Sequence, residues 1–139
     1  MKPSAFLCAA LLFAGLGSLH AEGVRKAIQF PKGQSSATLA ASVVRGETDR
    51  YDITANAGQT MTVSISSKEE NAAFTIYQPG YKSVVDDGVP TITGPTLAGA
   101  GEGEDAMKWE GPLPASGKYL IEVGGTRGSA SYKLTVTIK

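Results

Sequence analysis

Beyond its first twenty-one residues the chain has neither cysteine nor histidine, since Cys8 and His20 are the single examples of each. That excludes a disulfide framework, a thiol nucleophile and a Cys/His zinc site. A serine activated by histidine is excluded on the same ground. Catalysis would have to use carboxylate pairs, Ser–Lys chemistry or a carboxylate-bound metal, and the chain reads as a non-enzyme without cofactor or metal. Charge of one sign is missing too: 13 basic residues face 13 acidic ones. No basic field exists to hold nucleic acid or an anionic membrane. Aromatic residues make up 7% of the chain, and Tyr77, Tyr81 and Trp109 are too scattered to form a sugar-stacking row. No segment sustains a helical period with caps.

The longest apolar run is Ala5–Leu16, preceded by Lys2 and followed by small residues up to Ala21. That is the pattern of a cleaved secretory signal peptide over residues 1–21, too short for a membrane span. Cys8 lies inside the apolar run and does not read as a lipid-attachment site. Residues 22–139 remain as one exported domain with a single core. Removal of Lys2 leaves the acids one ahead, so partners must be met through shape and local charge.

From Glu22 onward alternation has the period of β-strands. Strands are expected at Val24–Phe30, Ala37–Val44, Asp49–Ala55, Thr60–Ser67, Ala73–Gln78, Lys118–Val123 and Ala130–Ile138. Tyr51, Ile53 and Ala55 share one face, as do Met61, Val63 and Ile65, and Tyr132, Leu134, Val136 and Ile138. Between Tyr81 and Leu113, Pro90, Pro95 and repeated glycines break the pattern. Val84–Val85, Thr91–Thr93 and Ala106–Trp109 are candidate short edge strands. The fold class is an all-β antiparallel sandwich of about seven to eight short strands, with a partly closed barrel as the neighbouring alternative.

Function is sought on a loop held by this scaffold. Leu113-Pro114-Ala115-Ser116-Gly117 runs as a turn into the strand that begins at Lys118. On residues alone, Ser116-Gly117 fills a turn and Tyr119 packs beneath it, hydroxyl tied to the backbone like a tyrosine corner. The other reading presents both hydroxyls as donors to carboxylates of a partner. Arg127 tips a later hairpin, roughly 20 Å along the strand from Ser116. Glu102, Glu104 and Asp105 read as a solvated acidic loop, with calcium binding or steering of a cationic partner as alternatives. Trp109 either anchors a contact or covers a sheet edge.

Several stretches together are similar to the bacterial periplasmic lysozyme inhibitors. They are Phe30–Ala37, Arg45-Gly46, Asn56-Ala57-Gly58-Gln59, Val63–Ser66, Leu113–Tyr119 and Thr126-Arg127-Gly128, and they cover nearly all of residues 22–139. Trp109 and the Gly125-Thr126-Arg127-Gly128 turn make the chain resemble inhibitors of invertebrate-type lysozyme more than those of goose-type. The resemblance implies a periplasmic protein whose Ser-Gly-x-Tyr loop enters the lysozyme cleft. Ser116, Gly117, Lys118 and Tyr119, with Arg127 at a second contact, would then bind lysozyme, and Ser116 and Tyr119 would inhibit it. Lysozyme is the implied partner, with a homodimer left open. A second resemblance, through Asp49-Arg50-Tyr51, Ala57-Gly58-Gln59-Thr60, Pro79-Gly80, Ser116-Gly117-Lys118-Tyr119 and Ser131-Tyr132, is to the prepeptidase C-terminal domain, an accessory sandwich of secreted peptidases.

Overall fold

The structure, a computed structural model, describes residues 23–139. The expected signal peptide therefore lies outside the described residues. Ten strands form, and no helix is present among the described residues: β1 (Arg25–Ala27), β2 (Ser36–Val43), β3 (Thr48–Ala55), β4 (Thr60–Ser67), β5 (Ala72–Tyr77), β6 (Lys82–Asp86), β7 (Val89–Thr93), β8 (Lys108–Pro112), β9 (Gly117–Gly125) and β10 (Ala130–Ile138). One sheet has the order β1-β3-β9-β5, a second β2-β10-β4-β8, and β6-β7 is a separate two-stranded hairpin. All pairings are antiparallel except β1 beside β3.

Alternation drives the two sheets together. Tyr51, Ile53, Tyr119, Ile121, Val123, Phe74 and Ile76 line the inner face of the first sheet. Met61, Val63, Ile65, Tyr132, Leu134 and Val136 line that of the second, and all are buried in one cluster. Register builds this packing: Tyr51 lies opposite Ile121 and Ile53 opposite Tyr119, while Leu134 lies opposite Ile65. Outside the second sheet, hydroxyls pair instead, as in Ser42–Ser131 at 2.8 Å and Thr38–Thr135 at 3.1 Å. The all-β sandwich expectation holds.

Strands β4 and β10 have the expected bounds, but β1 is shorter than Val24–Phe30. It is an exposed edge strand that pairs over only Arg25–Ala27. The count rises to ten because the 82–93 stretch closes on itself and β8 adds an edge beside β4.

The β6-β7 hairpin also changes the outer face of the first sheet. Leu120, on the side opposite Tyr119, is fully buried with Tyr77 and Ile92, and Tyr81 packs against them. Two polar hooks fasten the cover. Arg50 Nη2 donates to Pro90 O at 3.0 Å while its Nε pairs with Glu122 at 2.9 Å. The Tyr81 hydroxyl donates to Asp52 Oδ1 at 2.5 Å. Burial, and then this bond to a carboxylate, push the Tyr81 hydroxyl up to about 12.

Candidate functional site

The β8–β9 loop lies at one end of the sandwich, beside the β3–β4 turn. Gly58 N donates to Leu113 O at 2.9 Å, and Leu113 N donates to Gln59 O at 2.8 Å. Leu113 itself is buried, so the loop is tied down at its root. Ser116 is exposed, yet its Oγ accepts a 2.8 Å hydrogen bond from Ala57 N. Gly117 sits at φ 142, and a Cβ built there would lie 2.9 Å from Pro79 Cβ. Glycine is therefore required by both conformation and space.

Tyr119 is 0% exposed. Its hydroxyl donates to Ala115 O at 2.6 Å and accepts from Ala115 N at 3.2 Å. The motif thus makes an internal clamp. Ser116 bonds the neighbouring turn, Tyr119 holds the loop's backbone from beneath, and Gly117 lets the chain pass Pro79. Of the two roles open to Tyr119 on sequence, the structure adopts the tyrosine-corner one. Ser116 keeps its own hydroxyl proton, since its Oγ only accepts, whereas the Tyr119 hydroxyl proton is taken by Ala115 O. Lys118 is exposed and points outward, opposite Thr54.

Arg127 lies beyond the far end of β9, which spans Gly117–Gly125, about 26 Å at about 3.3 Å per residue. It is exposed, and its Nη2 donates to Glu69 O at 2.6 Å. The turn that carries it is fixed by buried Asn71, whose Nδ2 donates to Arg127 O and Ser129 O at 3.2 and 3.0 Å. Ser116 and Arg127 are not brought together.

The acidic loop is partly engaged. Glu102 Oε1 accepts from the Tyr77 hydroxyl at 2.6 Å, and Glu104 Oε2 accepts from Gly101 N at 2.6 Å. Burial first, and then the Glu102 contact, push the Tyr77 hydroxyl far above its ordinary value. Among the described residues no group of three or more His, Cys, Asp or Glu side chains is arranged to hold a metal ion. Trp109 covers the β8 edge: its Nε1 donates to Ala98 O at 2.9 Å, and its ring lies against Gly99 and Gly111.

One constellation was not visible in sequence. Asp49 is buried, with Oδ2 accepting from the Tyr132 hydroxyl at 2.5 Å and Oδ1 from Val24 N at 2.8 Å. Because Tyr132 spends its proton on Asp49, the Tyr51 hydroxyl donates to Tyr132 at 2.5 Å. Burial, reinforced by Asp49, pushes the Tyr132 hydroxyl far above its ordinary range. The relay joins both sheets and the first described residues, a structural role.

The relatives set the family. No protein-family model matches the chain. It is 33% identical over 147 residues, spanning all of both chains, to the inhibitor of g-type lysozyme of Escherichia coli (strain K12). The crystal structure of Aeromonas hydrophila PliG, a periplasmic lysozyme inhibitor of g-type lysozyme, is similar at 35% identity and TM-score 0.63. That match covers 85% of this chain and 98% of that one. The pre-peptidase C-terminal domain of a Bacillus anthracis collagenase, at 15% identity and TM-score 0.50, covers 85% of this chain and 95% of that one. At that identity it shares the fold alone, which accounts for the second resemblance through turns and strand starts.

The invertebrate-type leaning is overturned, since both full-length relatives are g-type inhibitors. Its two supports, Trp109 and the Arg127 turn, have structural work in the sandwich: one covers an edge and the other closes a hairpin. The compartment follows from the same kinship, and the protein is periplasmic. The chain belongs to the family of periplasmic inhibitors of g-type (goose-type) lysozyme.

Proposed function

We propose that the mature chain inhibits g-type lysozyme in the periplasm, as a non-enzymatic protein that occludes the cleft where glycan is cleaved. The observation that carries this reading is the end-to-end identity of 33% with the Escherichia coli inhibitor. A rigid sandwich with tied loops suits occlusion, because little ordering is lost on binding.

Ser116, Gly117 and Tyr119 act in this reading by shaping the β8–β9 loop. To reach lysozyme carboxylates, Tyr119 would have to leave a fully buried site and both of its bonds to Ala115. Abandoning those bonds costs about 1–3 kcal/mol before any contact is made, and exposing the ring adds to it. Lys118 and Arg127 remain outward charges at opposite ends of β9, so they could meet one partner only at two separate contacts.

The test is cell-wall clearing by g-type, invertebrate-type and chicken-type lysozymes with increasing amounts of the purified mature chain. Clearing by the g-type enzyme alone should stop at near-stoichiometric inhibitor. Full g-type activity in the presence of excess folded protein would sink the reading.

A further inference from the structure

The β6-β7 hairpin has an inner part that is fastened and a tip that is not. Ile92 is buried against Leu120 and Tyr77, and Arg50 holds Pro90 O. Beyond these anchors the tip runs Val84-Val85-Asp86-Asp87-Gly88-Val89. Asp87 at φ 47 and Gly88 at φ 77 make the mirror-image turn whose twist suits a tight hairpin. Val84, Val85 and Val89 are 41%, 73% and 48% exposed; among the described residues only Val24 and Val44 join them as exposed large apolar side chains. Apolar exposure is thus concentrated on one projecting element. An isolated two-stranded hairpin is marginal in water, so the anchors that stiffen this one are what keep three valines presented. Asp86 and Asp87 are exposed, and neither joins the ion pairs formed among the described residues, Arg25–Asp52 and Arg50–Glu122.

We propose that this tip is the element that docks into the g-type lysozyme, an assignment that rests on the inhibitory function above. Charge complementarity names the occupant. Lysozymes bind a cell-wall glycan that carries carboxylates along with apolar sugar-ring faces. A surface that gathers such a polymer presents cations and hydrogen-bond donors beside apolar faces, around the carboxylates that glycoside hydrolysis itself requires. The tip presents the matching chemistry, two adjacent unpaired carboxylates flanked by valines. The valines supply the desolvated contact and the aspartates guide encounter.

Two variants of the mature chain test it: Val85→Ser/Val89→Ser and Asp86→Asn/Asp87→Asn. Asparagine accepts the left-handed conformation at position 87, and the substituted side chains are exposed, so melting should be unchanged in both. The valine pair should weaken g-type inhibition by about tenfold or more, mainly through faster dissociation. The aspartate pair should slow association several-fold at low salt and flatten its salt dependence. Wild-type inhibition by both variants would overturn the docking assignment while leaving the inhibitory function standing. Failure of the wild-type chain to bind a g-type lysozyme would overturn both. Sedimentation gives one more outcome: a dimer that the valine variant dissociates without loss of inhibition would assign the tip to self-association and overturn the proposal.

Discussion

The Tyr132 hydroxyl donates to Oδ2 of Asp49 at 2.5 Å, joining a strand of one sheet to a strand of the other inside the core. Asp49 is 1% exposed, and its second oxygen is taken by Val24 N. A carboxylate so enclosed is tolerable because each oxygen has a donor.

Removing one donor should therefore cost more than an ordinary hydrogen bond. Tyr132→Phe is expected to destabilise the domain by about 2–3 kcal/mol, because the Asp49 carboxylate loses a partner and Tyr51 an acceptor. Asp49→Ala should cost about 3–5 kcal/mol through the unpaired Val24 N–H, the orphaned tyrosines and the space left behind. Urea unfolding followed by tyrosine fluorescence measures both. A loss under 1 kcal/mol for either would show that water or a neighbour replaces the contact.

The loop clamp makes a graded set. Ser116→Ala should cost about 1 kcal/mol, since the exposed Ala57 N–H can turn to water. Tyr119→Phe should cost about 1–2 kcal/mol through the unsatisfied Ala115 groups. Gly117→Ala should be the most damaging, about 2–4 kcal/mol, because strain at positive φ adds to the collision with Pro79. At temperatures where each variant is fully folded, g-type inhibition should stay within about threefold of wild type. A hundredfold loss of inhibition by folded Tyr119→Phe would restore its hydroxyl as a lysozyme contact.

Alkaline stability should report the hairpin cover. Tyr81 is pushed up to about 12 in the fold, above the value of 10.0 expected for a free tyrosine. Above pH 10 the unfolded chain gives up this proton more readily than the folded one, so stability falls as pH rises through the folded value. The contribution is whole below pH 10 and is lost toward pH 12 and beyond. Tyr81→Phe should remove part of that slope and expose Leu120 and Ile92 to no greater degree. Identical pH profiles in urea melts of variant and wild type would show that Asp52 does not sense the hydroxyl.

Much of the sandwich was legible because its strands are amphipathic and locally consistent. Thr60–Ser67 and Ala130–Ile138 alternate without interruption, and each forms over its predicted span. Leu120 was not legible. It occupies an outward position by alternation, and its cover comes from residues some thirty places earlier, in a stretch dominated by breakers. Asp49 was hidden for a related reason: an acid at a strand start reads as surface, and only register across two sheets gives it a tyrosine. Within the candidate site the sequence pattern singled out the β8–β9 loop, but spacing alone cannot tell a hydroxyl facing inward from one facing a partner. Lysozyme class was misread because Trp109 and the Arg127 turn are required by the fold.

Strand order carries a consequence for assembly during export. β9 lies between β3 and β5, and β10 lies between β2 and β4, so both sheets are centred on the two strands translated after all the others. Without them β3 has no partner but β1, β5 has no ladder neighbour, and β2 is left alone. Neither sheet can close until β9 and β10 are both available, so strand order favours closure only once the whole domain has been delivered. The same long-range closure makes folding slow for a domain of this size.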